Sequence, residues 1–479
     1  MTTREIDVAI IGTGSAGMTA YRSAVAHTDS VLLIEAAEYG TTCARVGCMP
    51  SKLLIAAADA AHHVTAAPGF GVHGGSVRVD GAAVMQRVRA ERDRFVGFVT
   101  EAVDAWPQAH RRLGRVRFLD AHTLEFDDGE RIHARRIVIA SGSVSIIPED
   151  WRLALGDRLI TNDDVFAWQA LPASVAVVGA GVIALELGQA LHRLGVRVRV
   201  FDRGGRFGGL SDPEVIAAAR RVLAEDFPLT TGAVIDRVTR AEDGVRIDFQ
   251  HQGATHSERY DYLLAALGRA PDLAHLNLGA TGLPLDPRGV PISDPSTGQI
   301  GDSHVFIAGD ASARRMLLHE AADEGRIAGD NAGRFPDVRE HSRRTGLAVA
   351  FTDPQIAVAG ASHAELLASG RSFEIAELDF SDQGRSRVMR RNRGLLRVYG
   401  EHHSDLFLGA EMIAPDGEHL AHLLAWAVHA KMTVQQMLDA PFYHPVVEEG
   451  VRTALRHLQR QLRMGPPPVP HCMDCGPGA

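Results

Sequence analysis

The sequence predicts an α/β protein with two Rossmann-like βαβ units followed by an α+β C-terminal region. The main observation is an internal repeat: a β-branched run, a glycine turn, a helical stretch and a second strand occur in residues 8–35 and again in 175–202. Corresponding positions of the two copies lie 167 residues apart. The second observation is a change of pattern near residue 346, where a strand-rich region begins and helical segments follow near 415–438 and 446–463.

The composition limits the possible partners. The chain has 479 residues, a formal net charge of −9 and a pI near 6.2, which argues against nucleic acid or an anionic membrane as a partner. Its longest apolar stretch, LPASVAVVGAGVIAL, contains glycines and ends at Glu186, so it is a poor membrane span. Because the first residues, MTTREIDVAIIG, enter a strand-like run at once, we expect no signal peptide and a cytoplasmic location.

The first copy of the repeat has the glycine spacing of a dinucleotide-binding turn. Gly12 makes the tight turn, Gly14 lets the backbone approach a pyrophosphate at the helix N-terminus, and Gly17 allows the helix to pack closely on the strand. Glu35 lies 23 residues after the first glycine, where an acid accepts hydrogen bonds from a ribose diol.

The second copy repeats these features with one change. Gly179 and Gly181 correspond to the first two glycines, Ala184 takes the place of the third, and Asp202 is the acid that ends the second strand. One such match is weak, but two matches in one chain, each between a strand and a helix, favour nucleotide binding over ordinary βα turns.

Two of the four cysteines lie close together in GTTCARVGCMPSK, as Cys43 and Cys48. In a reducing compartment such a pair is more often catalytic or metal-binding than a structural disulfide. A structural zinc needs four ligands, and this stretch supplies two with no histidine nearby, so we expect no metal here. A redox role is favoured over a metal site or buried thiols, and a helix N-terminus at this place would favour a thiolate.

Several motifs together resemble the pyridine nucleotide–disulfide oxidoreductases, the FAD-dependent family of dihydrolipoamide dehydrogenase, glutathione reductase and mercuric reductase. The resemblance covers about residues 5–460. It is carried by TTCARVGCMPSK, the redox-disulfide motif, and YHPVVEE, the C-terminal His-Pro…Glu motif, with SHVFIAGDAS, LLHEAADEGRIAG and FTDPQIAVAG between them. Three positions depart from the usual pattern, and all three bear on the substrate rather than on the family. They are Thr41 in place of the second glycine of Gly-Gly-Thr, Arg45 in place of an asparagine and Tyr443 in place of a small residue.

The resemblance implies a division of the chain into domains. The implied domains are 1–150 for FAD binding, 151–270 for NAD(P) binding, 271–345 for a central domain that completes the FAD site, 346–465 for dimerisation and 466–479 for a proline-rich tail with cysteines.

It also implies the catalytic roles. Cys48 would face the flavin, and Cys43 would be the interchange thiol that attacks the substrate disulfide. His444 would move a proton to and from Cys43, because histidine is the residue type that changes charge near neutral pH, and Glu449 would orient its imidazole. The active site would form across a homodimer, with His444 reaching the partner's cysteines.

The cofactor contacts follow in the same way, with FAD at the first βαβ unit and NAD, with NADP as the alternative, at the second. Lys52 and Glu186 would pair near the flavin, and Asp310 would bind the FAD ribitol. The remaining expected cofactor contacts are Gly12, Gly14, Gly17, Glu35, Thr42, Gly114, Ser141, Gly142, Gly179, Gly181, Asp202 and Gly268.

The choice of nicotinamide nucleotide depends on the end of the second strand. Asp202 favours NADH, because a carboxylate accepts hydrogen bonds from the ribose hydroxyls and repels a 2′-phosphate. Arg203 and Arg206 follow directly, however, and arginines there can bind that phosphate. The sequence therefore predicts NADH and leaves NADPH open.

The resemblance implies an enzyme that passes electrons between NAD(H) and a dithiol or disulfide through Cys43 and Cys48, most similar to dihydrolipoamide dehydrogenase. Its substrate would be a small dithiol or disulfide, or a lipoyl-carrying protein. An NADPH-dependent disulfide or mercuric reductase that uses Cys472 and Cys475 of the tail as a shuttle is the first alternative. A non-catalytic flavoprotein subunit is another. The tail cysteines also allow an incidental role, or a weaker zinc site with His471.

Overall fold

The computed structural model describes residues 4–462, and its N-terminal part is built on a mixed sheet with a parallel centre. Its strands are β1 (Arg4–Ile11), β2 (Val31–Glu35), β3 (Arg111–Leu113), β4 (Val116–Phe118), β5 (Thr123–Phe126), β6 (Arg131–Ile139) and β7 (Ser143–Ser145). Its helices are α1 (Ser15–Ala24), α2 (Thr42–Val46), α3 (Cys48–Ala66), α4 (Gly81–Asp104) and α5 (Glu149–Leu155).

The middle part contains the second repeat. Its elements are β8 (Leu159–Ile160), α6 (Asn162–Val165), β9 (Ser174–Val178), α7 (Val182–Arg193), β10 (Arg197–Asp202), α8 (Pro213–Ala224), β11 (Leu229–Thr231), β12 (Val234–Ala241), β13 (Gly244–His251), β14 (Ala254–Tyr260), β15 (Tyr262–Ala265) and β16 (Arg269–Pro271). Then follow β17 (Val305–Ile307) and α9 (Leu318–Arg334).

The C-terminal part begins at residue 347. Its elements are β18 (Leu347–Ala350), β19 (Gln355–Gly360), α10 (His363–Ser369), β20 (Phe373–Asp379), α11 (Gly384–Val388), β21 (Leu395–Glu401), β22 (Phe407–Ala414), α12 (Gly417–His429), α13 (Val434–Leu438) and α14 (Glu449–Gln461).

The first sheet has the strand order β3-β2-β1-β6-β5-β4, and β17 pairs with β6 in addition. The pairs β1–β2, β1–β6, β2–β3 and β6–β17 are parallel, whereas β4 and β5 add antiparallel pairs. Its central strands are covered on both faces, which explains the continuous apolar run of β1. The carboxyl ends of β1, β2, β6 and β17 lie along one edge, where open α/β sheets bind their ligands.

The second sheet, in the order β11-β10-β9-β15-β8, is parallel throughout. A three-stranded antiparallel sheet, β12-β13-β14, accompanies it, and the short antiparallel pair β7–β16 joins the two nucleotide-binding regions. Together these elements confirm the predicted fold of two Rossmann-like units.

The C-terminal sheet is antiparallel in the order β18-β19-β22-β21-β20, with α12 packed against β19 and α14 against β20. The helical stretch expected near 415–438 is two helices, because the chain turns at Lys431 and α13 begins with its own capping box at Thr433. The stretch expected from 446 begins at Glu449.

After the second sheet the chain returns to the first one, since β17 follows β16 and pairs with β6. The domain boundaries drawn from the sequence stay predictions. None of the helices between residues 4 and 462 is both long and apolar enough to cross a bilayer.

The packing of α1 on the first sheet depends on a glycine. A Cβ built at Gly17 would lie 1.8 Å from the carbonyl oxygen of Gly12, so no side chain fits between the helix and the turn before it. Gly12 itself has a φ of +106°, which only glycine adopts readily.

We therefore expect Gly17→Ala to lower the free energy of unfolding by about 2 kcal/mol, because the backbone must move to admit the methyl group. Gly97→Ala on α4 is the matched control, since a Cβ built at Gly97 meets no atom outside the local helix backbone within 4 Å. It should raise the stability slightly, by less than about 1 kcal/mol. Thermal unfolding of the two variants checks this, and equal melting temperatures would contradict it.

Candidate functional site

The predicted redox cysteines lie where two helices meet. Cys43 is in α2, Cys48 begins α3, and Gly47 between them adopts a non-helical conformation. A Cβ at Gly47 would lie 3.0 Å from the Thr42 carbonyl oxygen and 3.2 Å from the Cys43 Cα, so glycine allows the two helix ends to approach. The break in the helix between α2 and α3 thus brings the two thiols together, although an unbroken helix would place residues five apart on different faces.

The interaction between the two thiols shifts their pKa values in opposite directions. The hydrogen bond from Cys43 is the main cause that lowers the pKa of Cys48 to about 7; Lys52 lowers it further, whereas burial and Glu186 act in the opposite direction. The same hydrogen bond and burial raise the pKa of Cys43. The lower pKa of Cys48 favours it over Cys43 as the thiolate of a reduced pair.

Lys52 lies one turn along α3 and is paired with Glu186 of α7. The Lys52 Nζ is 2.9 Å and 2.8 Å from the two carboxylate oxygens, and the Glu186 side chain is only 4% exposed. Glu186 also accepts the backbone N–H of Phe351 at 2.9 Å, and the Lys52 Nζ lies 4.5 Å from the centroid of the Phe351 ring. A buried carboxylate, which is itself held by a backbone donor, and an aromatic face thus fix the ammonium group.

His444 and Glu449 form a second pair in the C-terminal part. The His444 Nδ1 lies 3.1 Å from both carboxylate oxygens of Glu449, whose side chain is 2% exposed. Arg452 at 3.1 Å and the Val446 N–H at 3.2 Å also donate to this carboxylate. The imidazole is held at Nδ1, while Nε2 forms no hydrogen bond within residues 4–462. Tyr443, next to it, is 80% exposed.

This pair has no hydrogen bond to either cysteine in the part of the chain described. The half-exposed His444 ring and the exposed Tyr443 are at the surface of a single chain. Their position is compatible with the prediction that His444 serves the cysteines of a second subunit.

The first nucleotide-binding turn fits FAD by several features. A Cβ at Gly14 would meet nothing within 4 Å, and α1 begins there without a side-chain cap or an acid in its first turn, so its N–H groups can bind a pyrophosphate. The hydroxyl of Ser141, after β6, is buried and has no partner among the described residues. Glu35 accepts the Thr13 N–H at 2.9 Å and a hydrogen bond from the Thr13 hydroxyl.

Asp310, which follows β17, is held by a chain of hydrogen bonds. The Ser143 hydroxyl donates to it at 2.6 Å, and Arg269 in turn donates to that hydroxyl at 2.8 Å. The turn before it is held by the buried Glu324, which accepts the Gly309 N–H at 2.9 Å and the Ser312 hydroxyl at 3.0 Å.

Burial raises the pKa of Glu324. Sequence reasoning did not find Ser143, Arg269 or Glu324. Their partners lie more than ten residues away in the chain, so no short motif contains these contacts.

The other predicted FAD contacts are spread along the same region. Gly114 follows β3 and donates its N–H to the Glu35 carbonyl at 2.8 Å. The carbonyl of Gly142 accepts the Asp272 N–H at 3.0 Å, and Thr42 is the exposed first residue of α2. Their roles stay predictions.

The second nucleotide-binding turn has the same open helix start at Gly181, where a Cβ meets nothing within 4 Å. Gly179 packs against the carbonyl of Ala266, and the carbonyl of Gly268 accepts the Ile146 N–H at 3.0 Å. Asp202 ends β10 as expected, but its side chain is only 2% exposed.

Comparison with known proteins agrees with this architecture. The family profile described as "Pyridine nucleotide-disulphide oxidoreductase" matches residues 6–325, and the profile of its dimerisation domain matches residues 347–455. This chain belongs to the pyridine nucleotide-disulphide oxidoreductase family. The family uses FAD and NAD(P)H, so the protein is a flavin-dependent oxidoreductase with a disulfide redox centre, and its dimerisation domain supports the predicted homodimer.

Curated relatives within the family differ in activity. A mercuric reductase from Shigella flexneri is 30% identical over 471 residues, which are 96% of this chain and 82% of the relative. A dihydrolipoyl dehydrogenase from Thermus scotoductus is 28% identical over 461 residues, which are 95% of this chain and 98% of the relative. These relatives establish an enzyme family without deciding the substrate.

Two solved structures of similar fold cover nearly the whole chain. The HOCl-induced flavoprotein disulfide reductase RclA from Escherichia coli has a TM-score of 0.77 at 21% identity and covers 94% of this chain and 99% of its own. LpdA from Mycobacterium tuberculosis has a TM-score of 0.78 at 23% identity and covers 95% of this chain and 100% of its own. At these identities the likeness concerns the fold.

The departures from the usual motif have clear structural positions. Arg45 pairs with Glu38 at 2.9 Å and donates to the Tyr39 carbonyl, so its charge is held by groups other than the cysteine pair.

The C-terminal cysteines Cys472 and Cys475, with His471, lie outside the described residues. Within residues 4–462, no group of three or more His, Cys, Asp or Glu side chains has the geometry to hold a metal ion.

We expect substitutions around Cys48 to shift its pKa in opposite directions. Lys52→Met removes a nearby positive charge and should raise the pKa of Cys48, whereas Glu186→Gln removes a negative charge and should lower it. Cys43→Ala, which removes the hydrogen-bond donor, should raise it most. Since only the thiolate reacts, a raised pKa moves the midpoint of the reaction rate to higher pH.

The measurement is the pH dependence of iodoacetamide alkylation at Cys48 in the reduced protein, located by peptide mass spectrometry. Cys43→Ser is the matched control, because a hydroxyl can still donate to the Cys48 sulfur. Unchanged midpoints in both Cys43→Ala and Lys52→Met would contradict the assignment of the thiolate to Cys48.

Proposed function

We propose that the protein is an NAD(P)H-dependent dithiol–disulfide oxidoreductase that uses Cys43 and Cys48, of the dihydrolipoyl dehydrogenase type. The observation that carries the proposal is the junction of α2 and α3, where Gly47 lets the helix ends that bear Cys43 and Cys48 approach beside the Lys52–Glu186 ion pair. The pKa of Cys48 is lowered there and that of Cys43 is raised, which suits the different chemical roles of the two sulfurs in an electron relay. The retained His444–Glu449 pair supports the dihydrolipoyl dehydrogenase type.

FAD, when bound, carries the two electrons between the nicotinamide and the cysteine pair. Gly12, Gly14, Ser141 and Asp310 would hold it. The Lys52 ammonium, fixed by Glu186, lies on the same helix as Cys48 and stabilises negative charge on that sulfur.

The exchange with substrate balances as two thiol–disulfide steps. One thiolate of a dithiol substrate attacks Cys43 in the oxidised pair, the Cys43–Cys48 bond breaks, and Cys48 leaves as a thiolate. The second substrate thiolate attacks the mixed disulfide, forms the substrate disulfide and releases Cys43. His444 accepts the proton of the first substrate thiol and passes it to Cys43 when that sulfur leaves; it then accepts the proton of the second substrate thiol and holds it as an imidazolium that balances the Cys48 thiolate. The reverse sequence reduces a disulfide.

The position of Glu449 fits the proton transfer. Because its buried carboxylate accepts a hydrogen bond from Nδ1, the Nε2 of His444 remains directed away from it and available to a thiol. The carboxylate also stabilises the imidazolium that forms during the transfer.

A second candidate is a reductase in which the C-terminal tail passes electrons or bound metal onward from the cysteine pair. The 30% identical mercuric reductase and the HCMDC sequence of the tail favour it. The retained His444 and Glu449 count against mercuric reduction as the main activity.

A substrate panel separates the two candidates. The purified holoenzyme is assayed with NADH and NADPH against lipoamide, glutathione disulfide, thioredoxin and mercuric ion. Lipoamide turnover well above the others is the result expected, and turnover confined to mercuric ion would overturn the proposal.

Removal of residues 472–479 tests the tail. We expect lipoamide turnover to remain, because a small substrate reaches Cys43 directly. Loss of every disulfide activity in the truncated form alone, with an unchanged flavin content, would instead establish the tail as the shuttle.

His444→Gln should lower kcat for disulfide exchange by about 100-fold, the usual contribution of a positioned acid–base group. Glu449→Gln should cause a smaller loss, because it removes the orientation of the ring and leaves the ring itself. The matched control is His251→Gln on β13. His251 is far in the sequence from the cysteine pair and from the His444–Glu449 pair, and it lies outside the proposed site. Steady-state kinetics across the pH range distinguish these effects, and equal losses in all three variants would refute the roles.

Mixed dimers test whether the site spans two subunits. A homodimer of Cys48→Ser subunits should be inactive, and a homodimer of His444→Gln subunits should keep about a hundredth of the activity. Their heterodimer contains one complete site if His444 serves the partner's cysteines. Random reassociation should then restore about a quarter of the wild-type activity, since half of the dimers each carry one site. No recovery on mixing would place both groups in the same subunit.

A further inference from the structure

The two copies of the repeat differ at the acid that ends the second strand. Glu35 accepts hydrogen bonds from Thr13 and, at 3.3 Å, from the Ala37 N–H, and within residues 4–462 no arginine or lysine forms an ion pair with it. Asp202, its counterpart, accepts the Nε of Arg220 at 3.0 Å and the Gly204 N–H at 2.8 Å. Both of its oxygens therefore already have partners from the chain.

Arg220 is held in place on α8 by more than the ion pair. Its Nη2 donates to the Gly205 carbonyl at 3.3 Å, and its guanidinium carbon lies 5.3 Å from the centroid of the buried Phe207 ring. An arginine fixed by a carboxylate, a carbonyl and an aromatic face neutralises the charge of Asp202 permanently. A carboxylate so neutralised, and only 2% exposed, no longer repels a phosphate as a free carboxylate would.

Two further arginines lie on the loop that follows. Arg203 and Arg206 are exposed and form no hydrogen bond or ion pair in the part of the chain described. Gly204 and Gly205 between them leave open space, because a Cβ at either meets nothing within 4 Å. The local charge near the expected adenosine ribose is thus dominated by arginine, although the sequence motif ends in an acid.

We infer that the second nucleotide site selects NADPH, with Arg203 and Arg206 binding the 2′-phosphate and Arg220 acting as a positioning residue that neutralises Asp202. This inference rests on the proposed function in one respect, that the second βαβ unit binds the nicotinamide nucleotide. It reverses the preference for NADH that Asp202 alone predicts. Guanidinium groups suit the task because they bind phosphate oxygens through paired N–H donors.

The first experiment is calorimetric titration of the holoenzyme with 2′-phospho-AMP and with AMP, which differ only in the phosphate. We expect 2′-phospho-AMP to bind at least about tenfold more tightly at low ionic strength, and the difference to shrink with salt. Equal affinities, or tighter binding of AMP, would overturn the inference. Because neither ligand is a redox substrate, the result does not depend on the identity of the disulfide.

Three variants divide the effect among the arginines. Arg203→Ala combined with Arg206→Ala should weaken 2′-phospho-AMP binding by about tenfold or more and leave AMP binding unchanged. Arg220→Gln should also weaken 2′-phospho-AMP binding, because the charge of Asp202 is then uncompensated. Arg221→Gln, an exposed neighbour on α8, is the matched control and should change neither affinity.

A double variant tests the positioning role of Arg220 directly. Adding Asp202→Asn to Arg220→Gln removes the uncompensated charge and should restore much of the affinity for 2′-phospho-AMP. An affinity that stays low, or an Arg220→Gln protein that binds like wild type, would refute that role.

Kinetics with the two nucleotides then separate the inference from the proposed function. A preference for NADPH in flavin reduction without any disulfide turnover would refute the proposed function and support the inference. Disulfide turnover with a preference for NADH would support the proposed function and refute the inference.

Discussion

The arrangement of this protein depends on one buried ion pair, between Glu186 and Lys52. Glu186 belongs to the helix of the second nucleotide-binding unit, Lys52 to the helix that begins with Cys48, and the backbone of Phe351 to the C-terminal part. A carboxylate that is 4% exposed needs a counter-ion and hydrogen-bond donors in place of water. Glu186 finds them on Lys52 and Phe351, so it holds three separate segments of the chain at fixed positions. The electrostatic environment of the cysteine pair follows from this contact.

A second group of buried contacts fixes the region where the two nucleotide-binding units meet. Ser143 and Arg269 belong to the short pair of strands that joins the units; Ser143 donates to Asp310, which follows β17, and Arg269 donates to Ser143. Asn162, which begins α6, donates to the carbonyl of Val46 at 2.8 Å and so satisfies the end of the helix that carries Cys43. Polar side chains from one unit therefore complete the backbone hydrogen bonding of the other.

The sequence was informative where chemistry is local. The repeat predicted the parallel strands of both nucleotide-binding sheets, and the family motifs predicted the Lys52–Glu186 and His444–Glu449 pairs that the structure shows. The sequence was uninformative where a residue acts from another element. Arg220 lies 18 positions after Asp202 and belongs to no motif, yet its guanidinium neutralises the charge of that carboxylate. Phe351 and Glu324 lie within the motifs FTDPQIAVAG and LLHEAADEGRIAG, but their contacts with other elements leave no periodic signal in the sequence.

The return of β17 to the first sheet has a consequence for synthesis on the ribosome. The N-terminal sheet cannot be completed until residues 305–307 have emerged, because they pair with Ile137, Val138 and Ile139. The second parallel sheet, from β8 to β15, is whole by residue 265. The inserted unit is therefore the first that can reach its full set of strand pairings, while the N-terminal unit waits with an unpaired edge that a nascent-chain chaperone could cover.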